Sequence, residues 1–154
     1  MVRVTAAAAI AVLAGVAVVG ISDARPPFSH VGTHALVDFW GVENHKLTDA
    51  IWVEATLREA AGAAKATVLS CTLHQFGGHQ GLTGVLLLAE SHLSIHTWPE
   101  NGFAALDIYL CGTGQIEPCL IKLKEAFSPT HEVIRRVTRG QSKHESAPTC
   151  LGSY

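Results

Sequence analysis

The chain of 154 residues is long enough for one compact domain, and 48% of its residues are hydrophobic while 16% are charged. This composition excludes an intrinsically disordered protein. The formal net charge is −2 and the basic residues are scattered, whereas nucleic-acid binding needs a clustered basic surface, so we predict no nucleic-acid partner.

Residues 1–27 form an apolar N-terminal extension that differs from the rest of the chain. Residues 4–21 are almost wholly apolar, and a run of about 18 apolar residues is at the lower limit for crossing a bilayer. Ser22 and Ala24 supply the small residues of a signal-peptidase site. The run is rich in alanine, which is only weakly hydrophobic, so a membrane anchor, a signal and no targeting role all stay open.

Pro26 and Pro27 form a linker that precedes a domain over residues 28–140, and a tail over residues 141–154 follows it. In chain order the domain is predicted to contain a strand at 34–40, a helix at 47–64, strands at 66–76, 82–89 and 103–111, a helix with Pro118 in its first turn, and a strand at 133–137. This order predicts an α+β fold, a two-layer sandwich of helices on a mainly antiparallel sheet.

The apolar spacing predicts which faces are buried. The first helix has its apolar stripe at Leu47, Ala50, Ile51, Leu57, Ala61 and Ala64, and the second has its stripe at Ile116, Leu120, Leu123 and Phe127. Residues 85–89 are apolar on both faces, which predicts a central strand that is covered on two sides.

Cysteine chemistry is expected at one position. The four cysteines include no CxxC pair, so we expect reduced thiols and no structural metal site. Residues 103–111 alternate, with Cys111 on the side of Asp107 and Tyr109 and the leucines on the other. An inert cysteine would sit among the leucines, so this placement indicates a functional Cys111.

Residues 90–100, ESHLSIHTWPE, concentrate carboxylates, imidazoles and hydroxyls directly after an apolar strand. The residues alone leave four interpretations open. His92 and His96, with His74 or His79, would hold a metal ion, although the first two lie about 13 Å apart on an extended strand. Ser91 would serve a hydrolase, although the glycine-flanked elbow is missing. The polar residues would merely cap a strand, or the segment would process itself.

The string GLTGVLLLAESHLSIHTWPE at 81–100, with FAALDIYLCG at 103–112 and HALVDFWG at 34–41, closely resembles the prokaryotic S-adenosylmethionine decarboxylase proenzymes. The resemblance covers nearly all of residues 30–140. It implies the fold of those enzymes and self-cleavage between Glu90 and Ser91 into chains 1–90 and 91–154.

The resemblance also assigns roles to residues. The Ser91 hydroxyl attacks the Glu90 carbonyl, the peptide bond becomes an ester, and elimination leaves a pyruvoyl group on residue 91. His96 transfers the proton during processing, and Thr83 assists the rearrangement. The pyruvoyl cofactor binds the substrate amine as a Schiff base, and Cys111 then protonates the product's α-carbon.

The glycine loop after Phe76 departs from the family pattern. Typical members have a spaced proline there, whereas this chain has GGHQGLTG at 77–84 and is one residue longer. Phe76 either stacks on the substrate or belongs to the core. S-adenosylmethionine is the expected substrate; ornithine or arginine is the alternative, with Glu100 or Asp107 holding the distal cation.

Two further expectations come from the resemblance. The enzyme would be a homodimer of cleaved protomers with substrate sites near the interface, and it would be cytoplasmic, either free or anchored through residues 4–21. An unprocessed binding or regulatory subunit is the alternative outside catalysis. On an unbroken strand Ser91 and His96 would face opposite sides, so we expect the chain to bend between them.

Overall fold

The computed structural model describes residues 31–78, 80–112 and 114–140. Its elements are β1 (Gly32–Trp40), α1 (Asn44–Thr48), α2 (Ala50–Ala63), β2 (Val68–Gln75), β3 (Leu82–Leu88), β4 (Ser91–Trp98), a 3₁₀ turn (Pro99–Asn101), β5 (Phe103–Cys111), α3 (Ile116–Phe127) and β6 (His131–Arg139). The expectations for residues 4–21 and 141–154 fall outside the described residues. Within the described part, none of the helices has the length and apolar character needed to span a membrane.

The six strands form one sheet in the order β2-β3-β4-β5-β1-β6, and every neighbouring pair is antiparallel. β4 lies between β3 and β5, so that Leu93 is opposite both Leu86 and Ile108. These three side chains are fully buried in a core shared with α2 and α3. The predicted α+β sandwich of helices on an antiparallel sheet is confirmed, and its second face, which we call the open face, carries no helix among the described residues.

The predicted helix over residues 47–64 is wrong in one respect, because it is divided at Asp49. The Asp49 carboxylate accepts hydrogen bonds from the backbone N–H groups of Ile51 and Trp52, both at 3.0 Å. This N-terminal cap starts α2 afresh after the short α1. Ile51, predicted to be in the apolar stripe, is 85% exposed as a result, whereas Leu57 is fully buried.

The expectation that residues 85–89 are covered on two sides is also wrong for the part of the chain that the structure describes. Val85 and Leu87 are 39% and 49% exposed on the open face, because both long helices pack on the other face. The stretch 91–98 adds a strand of its own, so that four strands rather than three lie between the predicted helices.

Thr97 connects the elements that surround the candidate site. Its buried hydroxyl donates to the Leu47 carbonyl and accepts from the Leu82 N–H, both at 2.7 Å. Gly81 passes so close that a Cβ there would lie 1.9 Å from the Thr97 carbonyl oxygen, so only glycine fits. The start of β3 and the end of α1 are thereby held against the end of β4.

Candidate active site

The turn between β3 and β4 presents the Glu90 carbonyl to Cys111. The carbonyl oxygen accepts a hydrogen bond from the Cys111 backbone N–H at 3.2 Å and another from its Sγ at 2.6 Å. The alternation predicted for β5 is confirmed, because Leu110 is buried with the other apolar residues while Cys111 is half-buried on the opposite side. Two donors at one backbone oxygen form the arrangement that stabilises negative charge on a carbonyl.

The Glu90 side chain holds the same turn from another direction. Its Oε2 accepts the Thr67 backbone N–H at 2.8 Å, and the Thr67 carbonyl accepts the Ala89 N–H at 2.9 Å. The first of these bonds lowers the pKa of the Glu90 carboxyl below its ordinary value, because it favours the ionised form. The turn is therefore fixed by contacts to both its backbone and its side chain.

Ser91 begins β4 in a backbone conformation that favours glycine. Its φ is +151°, and a residue with a side chain in this region costs of the order of 1–3 kcal/mol. Its Oγ lies 3.3 Å from Nδ1 of His92, and the side chains are half-buried. Strain at the residue that follows the Glu90 carbonyl would be released by breaking their peptide bond.

His96 lies at the other end of β4 and does not reach Ser91. Its Nδ1 is 2.8 Å from Oγ1 of Thr83, the residue directly opposite on β3. β4 pairs without interruption from Ser91 to Trp98, so the expected bend between Ser91 and His96 is absent. Five residues of strand separate them by about 17 Å, and His96 faces the open side.

A cleft of about 900 Å³ opens beside His96. Its lining includes Phe76, Thr83, His96, Trp98 and Glu100. Phe76 is 57% exposed, which excludes the core alternative for this side chain. The volume suits a small-molecule site.

Sequence reasoning missed Trp98 as part of this cleft. The period of two along β4 is the signal that would have found it, because it places Trp98 on the same side as His96.

Asp107, the other predicted substrate carboxylate, is outside this cleft. Its Oδ1 accepts from Nε2 of His34 at 3.1 Å, and its Oδ2 accepts from the Ser94 hydroxyl at 3.2 Å. These bonds use the carboxylate within the sheet. The structure thus brings Phe76 and Glu100 together with His96 in the cleft, and neither Asp107 nor Ser91 is part of its lining.

The metal interpretation finds no support in the geometry. Residues 31–78, 80–112 and 114–140 contain no group of three or more histidine, cysteine or acidic side chains that could share an ion. His92 and His96 are about 13 Å apart along the strand, and His79 lies outside the described residues.

Comparison with known proteins identifies the family. The sequence profile of the S-adenosylmethionine decarboxylase family matches residues 33–140. The chain belongs to this family. Two similar members, each named S-adenosylmethionine decarboxylase proenzyme, are from Prochlorococcus marinus and Brevibacillus brevis. The first is 49% identical over 103 residues, 66% of this chain and 82% of that protein; the second is 45% identical over 114 residues, 73% and 85%.

A solved family structure supports the fold. The crystal structure of the adenosylmethionine decarboxylase from Aquifex aeolicus matches with a TM-score of 0.70 and 34% sequence identity. The match covers 79% of this chain and all of the Aquifex chain. The fold expected from the resemblance is therefore confirmed.

The strain at Ser91 predicts an unusual order of stability. We expect Ser91→Gly to unfold with a free energy about 1–2 kcal/mol higher than Ser91→Ala, because glycine adopts the observed φ without a steric penalty. Urea denaturation of the two variants measures the difference. At Ser94, in the middle of the same strand, the order is expected to be reversed, with glycine about 0.5–1 kcal/mol less stable than alanine. Equal stabilities at position 91 would contradict the strain.

Proposed function

We propose that this chain cuts itself between Glu90 and Ser91 and then decarboxylates S-adenosylmethionine, producing the aminopropyl donor for spermidine synthesis. The observation that carries the cleavage site is the Glu90 carbonyl oxygen, which accepts two hydrogen bonds from Cys111. The relatives described above are named for S-adenosylmethionine, which favours this substrate over ornithine or arginine. Asp107 is already bonded to His34, so it does not offer a free carboxylate to a distal cation.

In the first step the Ser91 hydroxyl attacks the Glu90 carbonyl carbon. Negative charge develops on the carbonyl oxygen, where the N–H and thiol of Cys111 donate hydrogen bonds. The carbon–nitrogen bond then breaks, so that Glu90 is joined to Ser91 through an ester. This gives Cys111 a role in processing that precedes the role in catalysis implied by the family.

In the second step a base removes the α-proton of residue 91, and the family pattern assigns this to His96. The Thr83 hydroxyl fixes the orientation of the His96 ring through Nδ1. Elimination releases the Glu90 carboxylate, and hydrolysis of the remaining enamine yields ammonia and a pyruvoyl group on residue 91. Imidazole suits proton transfer near neutral pH.

The pyruvoyl group would supply a ketone that captures the substrate amine and accepts the electron pair left by carbon dioxide. Residue 91 would carry it, and the family pattern assigns the proton that completes the reaction to the thiol of Cys111. Cys111 is half-buried, and its Sγ lies against the backbone that precedes residue 91. The Cys111 thiol therefore returns a proton to the α-carbon of the product.

The cleft beside His96 is the proposed substrate site. Phe76 and Trp98 offer exposed aromatic faces to an adenine ring or a sulfonium. Glu100 offers a carboxylate that attracts the sulfonium charge and accepts hydrogen bonds from ribose hydroxyl groups. The longer glycine loop after Phe76 forms one wall of this cleft, so its departure from the family pattern affects substrate contacts.

The distance between this cleft and Ser91 supports a homodimer. Within one chain His96 and Ser91 are about 17 Å apart along β4. Two copies that pack through their open faces would place the cleft and His96 of one against Ser91 of the other. The open face has large exposed apolar side chains that such packing would bury: Leu36, Trp40, Val85, Leu87 and Trp98.

Intact mass spectrometry tests the self-cleavage. The purified chain is expected to give two fragments, 1–90 and 91–154, with the second lacking an amino terminus, and to release labelled carbon dioxide from S-adenosylmethionine. Cys111→Ala is expected to slow the cutting by about 10²-fold, because one donor to the carbonyl oxygen is lost. Cys71→Ala, a half-buried thiol on β2, is the matched control and cuts normally. A single full-length chain from the unmutated sequence would refute the proposal.

The substrate cleft predicts a binding defect at Glu100. In cleaved protein, Glu100→Gln is expected to raise KM for S-adenosylmethionine by about 10-fold or more, because a charge-assisted contact is lost. Steady-state kinetics measure the change. Glu125→Gln, which removes an exposed charge on α3, leaves KM unaltered. An unchanged KM in Glu100→Gln would place the substrate elsewhere.

Mixed dimers test the sharing of residues between copies. Ser91→Ala keeps His96 but has no nucleophile, whereas His96→Asn keeps the nucleophile but has no base. Neither variant expressed by itself is expected to yield the pyruvoyl fragment. Co-expression is expected to restore this fragment, and only the His96→Asn chain is cut. The masses of differently tagged chains report which copy was cut. Failure of co-expression to restore the fragment contradicts the paired arrangement.

A further inference from the structure

His92 is the imidazole in contact with the Ser91 hydroxyl. Ser91 Oγ lies 3.3 Å from His92 Nδ1, and both side chains are half-buried. His96, by contrast, is bonded to Thr83 at the other end of β4. The nucleophile of the proposed cleavage therefore has a base candidate in its own chain that the roles assigned above do not use.

Aromatic neighbours hold His92 in place. On β4 it is paired directly with Tyr109 of β5, and the two rings meet edge to face with centroids 5.9 Å apart. The His34 ring of β1, which is paired with Tyr109, also meets the His92 ring edge to face, at 6.3 Å. These contacts restrict the rotation of the His92 ring and so fix the position of Nδ1.

Hydrogen bonds hold in place the His34 ring that packs on His92. Arg139 has no acceptor atoms, so its Nη1 donates to His34 Nδ1 at 3.5 Å, and His34 Nε2 therefore carries the proton that it donates to Asp107 at 3.1 Å. Arg139 also lies over the Tyr109 ring, 5.6 Å from its centroid. Both ring nitrogens of His34 are thus engaged, and His92 remains the imidazole that faces Ser91.

We propose that His92 is the general base for the first step of self-cleavage and acts within its own chain. This inference rests on the self-cleavage proposed above. His92 Nδ1 takes the proton from Ser91 Oγ as the Oγ–carbon bond to Glu90 forms. When the carbon–nitrogen bond of the peptide breaks, the same proton passes from His92 to the Ser91 nitrogen. The peptide is converted to an ester and His92 ends neutral, so atoms, charges and electrons balance.

The two histidines then divide the processing between them. His92 makes the ester, and His96 of the other copy removes the α-proton that leads to elimination. Loss of either histidine stops maturation, but the chain is left in a different chemical state in each case. Without His92 the peptide bond stays intact, whereas without His96 the ester accumulates.

Hydroxylamine distinguishes these states because it cleaves an ester at residue 91 but not an intact Glu90–Ser91 peptide bond. It also attacks Asn–Gly bonds such as Asn101–Gly102, so the masses of the fragments identify where the chain was cut. His92→Asn keeps an acceptor near the Nδ1 position but has no basic nitrogen. It is expected to slow cutting by about 10²–10⁴-fold and to show no hydroxylamine-induced cut after Glu90. His96→Asn is expected to give the fragments 1–90 and 91–154 when hydroxylamine is added. His131→Asn, on an exposed position of β6, is the matched control and matures like the unmutated chain.

Co-expression with Ser91→Ala gives an independent test. The Ser91→Ala chain carries an intact His92, yet it is expected not to restore cutting of His92→Asn, because His92 acts on the serine next to it. The same Ser91→Ala partner is expected to restore cutting of the His96→Asn chain. Restoration of His92→Asn by this partner would overturn the assignment within one chain.

Thermal unfolding establishes that each variant is folded, and His92→Gln provides a second variant of similar size without a basic nitrogen. Cutting at the unmutated rate in either folded variant would overturn the proposal, as would an ester that accumulates in His92→Asn. Failure of the unmutated chain to cut is a different result, because it refutes the proposed function itself.

Discussion

The period of two along β4 is the constraint on which the arrangement of the site depends. β4 is paired on both sides, by β3 and β5, so its side chains cannot rotate from one face to the other. Leu93 and Ile95 face the helices, and His92, Ser94 and His96 face the open side. His92 therefore lies next to Ser91, whereas His96 lies at the other end of the strand. One copy of the chain does not bring His96 and Ser91 together.

Three features of the β3–β4 turn meet at the peptide bond that we propose is cut. The Glu90 carbonyl accepts hydrogen bonds from Cys111, the Glu90 carboxylate is bonded to Thr67, and Ser91 has a strained φ. Each of these features acts on the same bond. The first stabilises charge on the carbonyl oxygen, the second fixes the turn, and the third raises the energy of the uncut state.

The open face explains why the fold exposes so much apolar surface. Among the described residues the helices cover one side of the sheet alone, which leaves Leu87 and Trp98 partly exposed. Pairing with a second copy would bury them and would complete the active site in the same event. Stability and catalysis would then both depend on one interface, which links assembly to maturation.

Much of this protein is determined by its sequence alone. Local apolar periodicity predicted most of the strands and both long helices, and the unusual string at 90–100 indicated the family and the bond for which we propose self-cleavage. Alternation within β5 placed Cys111 on the polar side, because side-chain direction along a strand depends only on position. Apolar periodicity did not predict the division of the first helix at Asp49, because the division depends on hydrogen bonds to the Asp49 carboxylate.

Tertiary structure decided the contacts between distant residues. Cys111 meets the Glu90 carbonyl through the pairing of β4 with β5, and Asp107 is bonded to His34 through the pairing of β5 with β1. The bend expected between Ser91 and His96 is absent, because an uninterrupted ladder holds the strand straight. Sequence spacing gives distance along a strand, whereas register between strands, which only the folded sheet sets, determines which side chains meet.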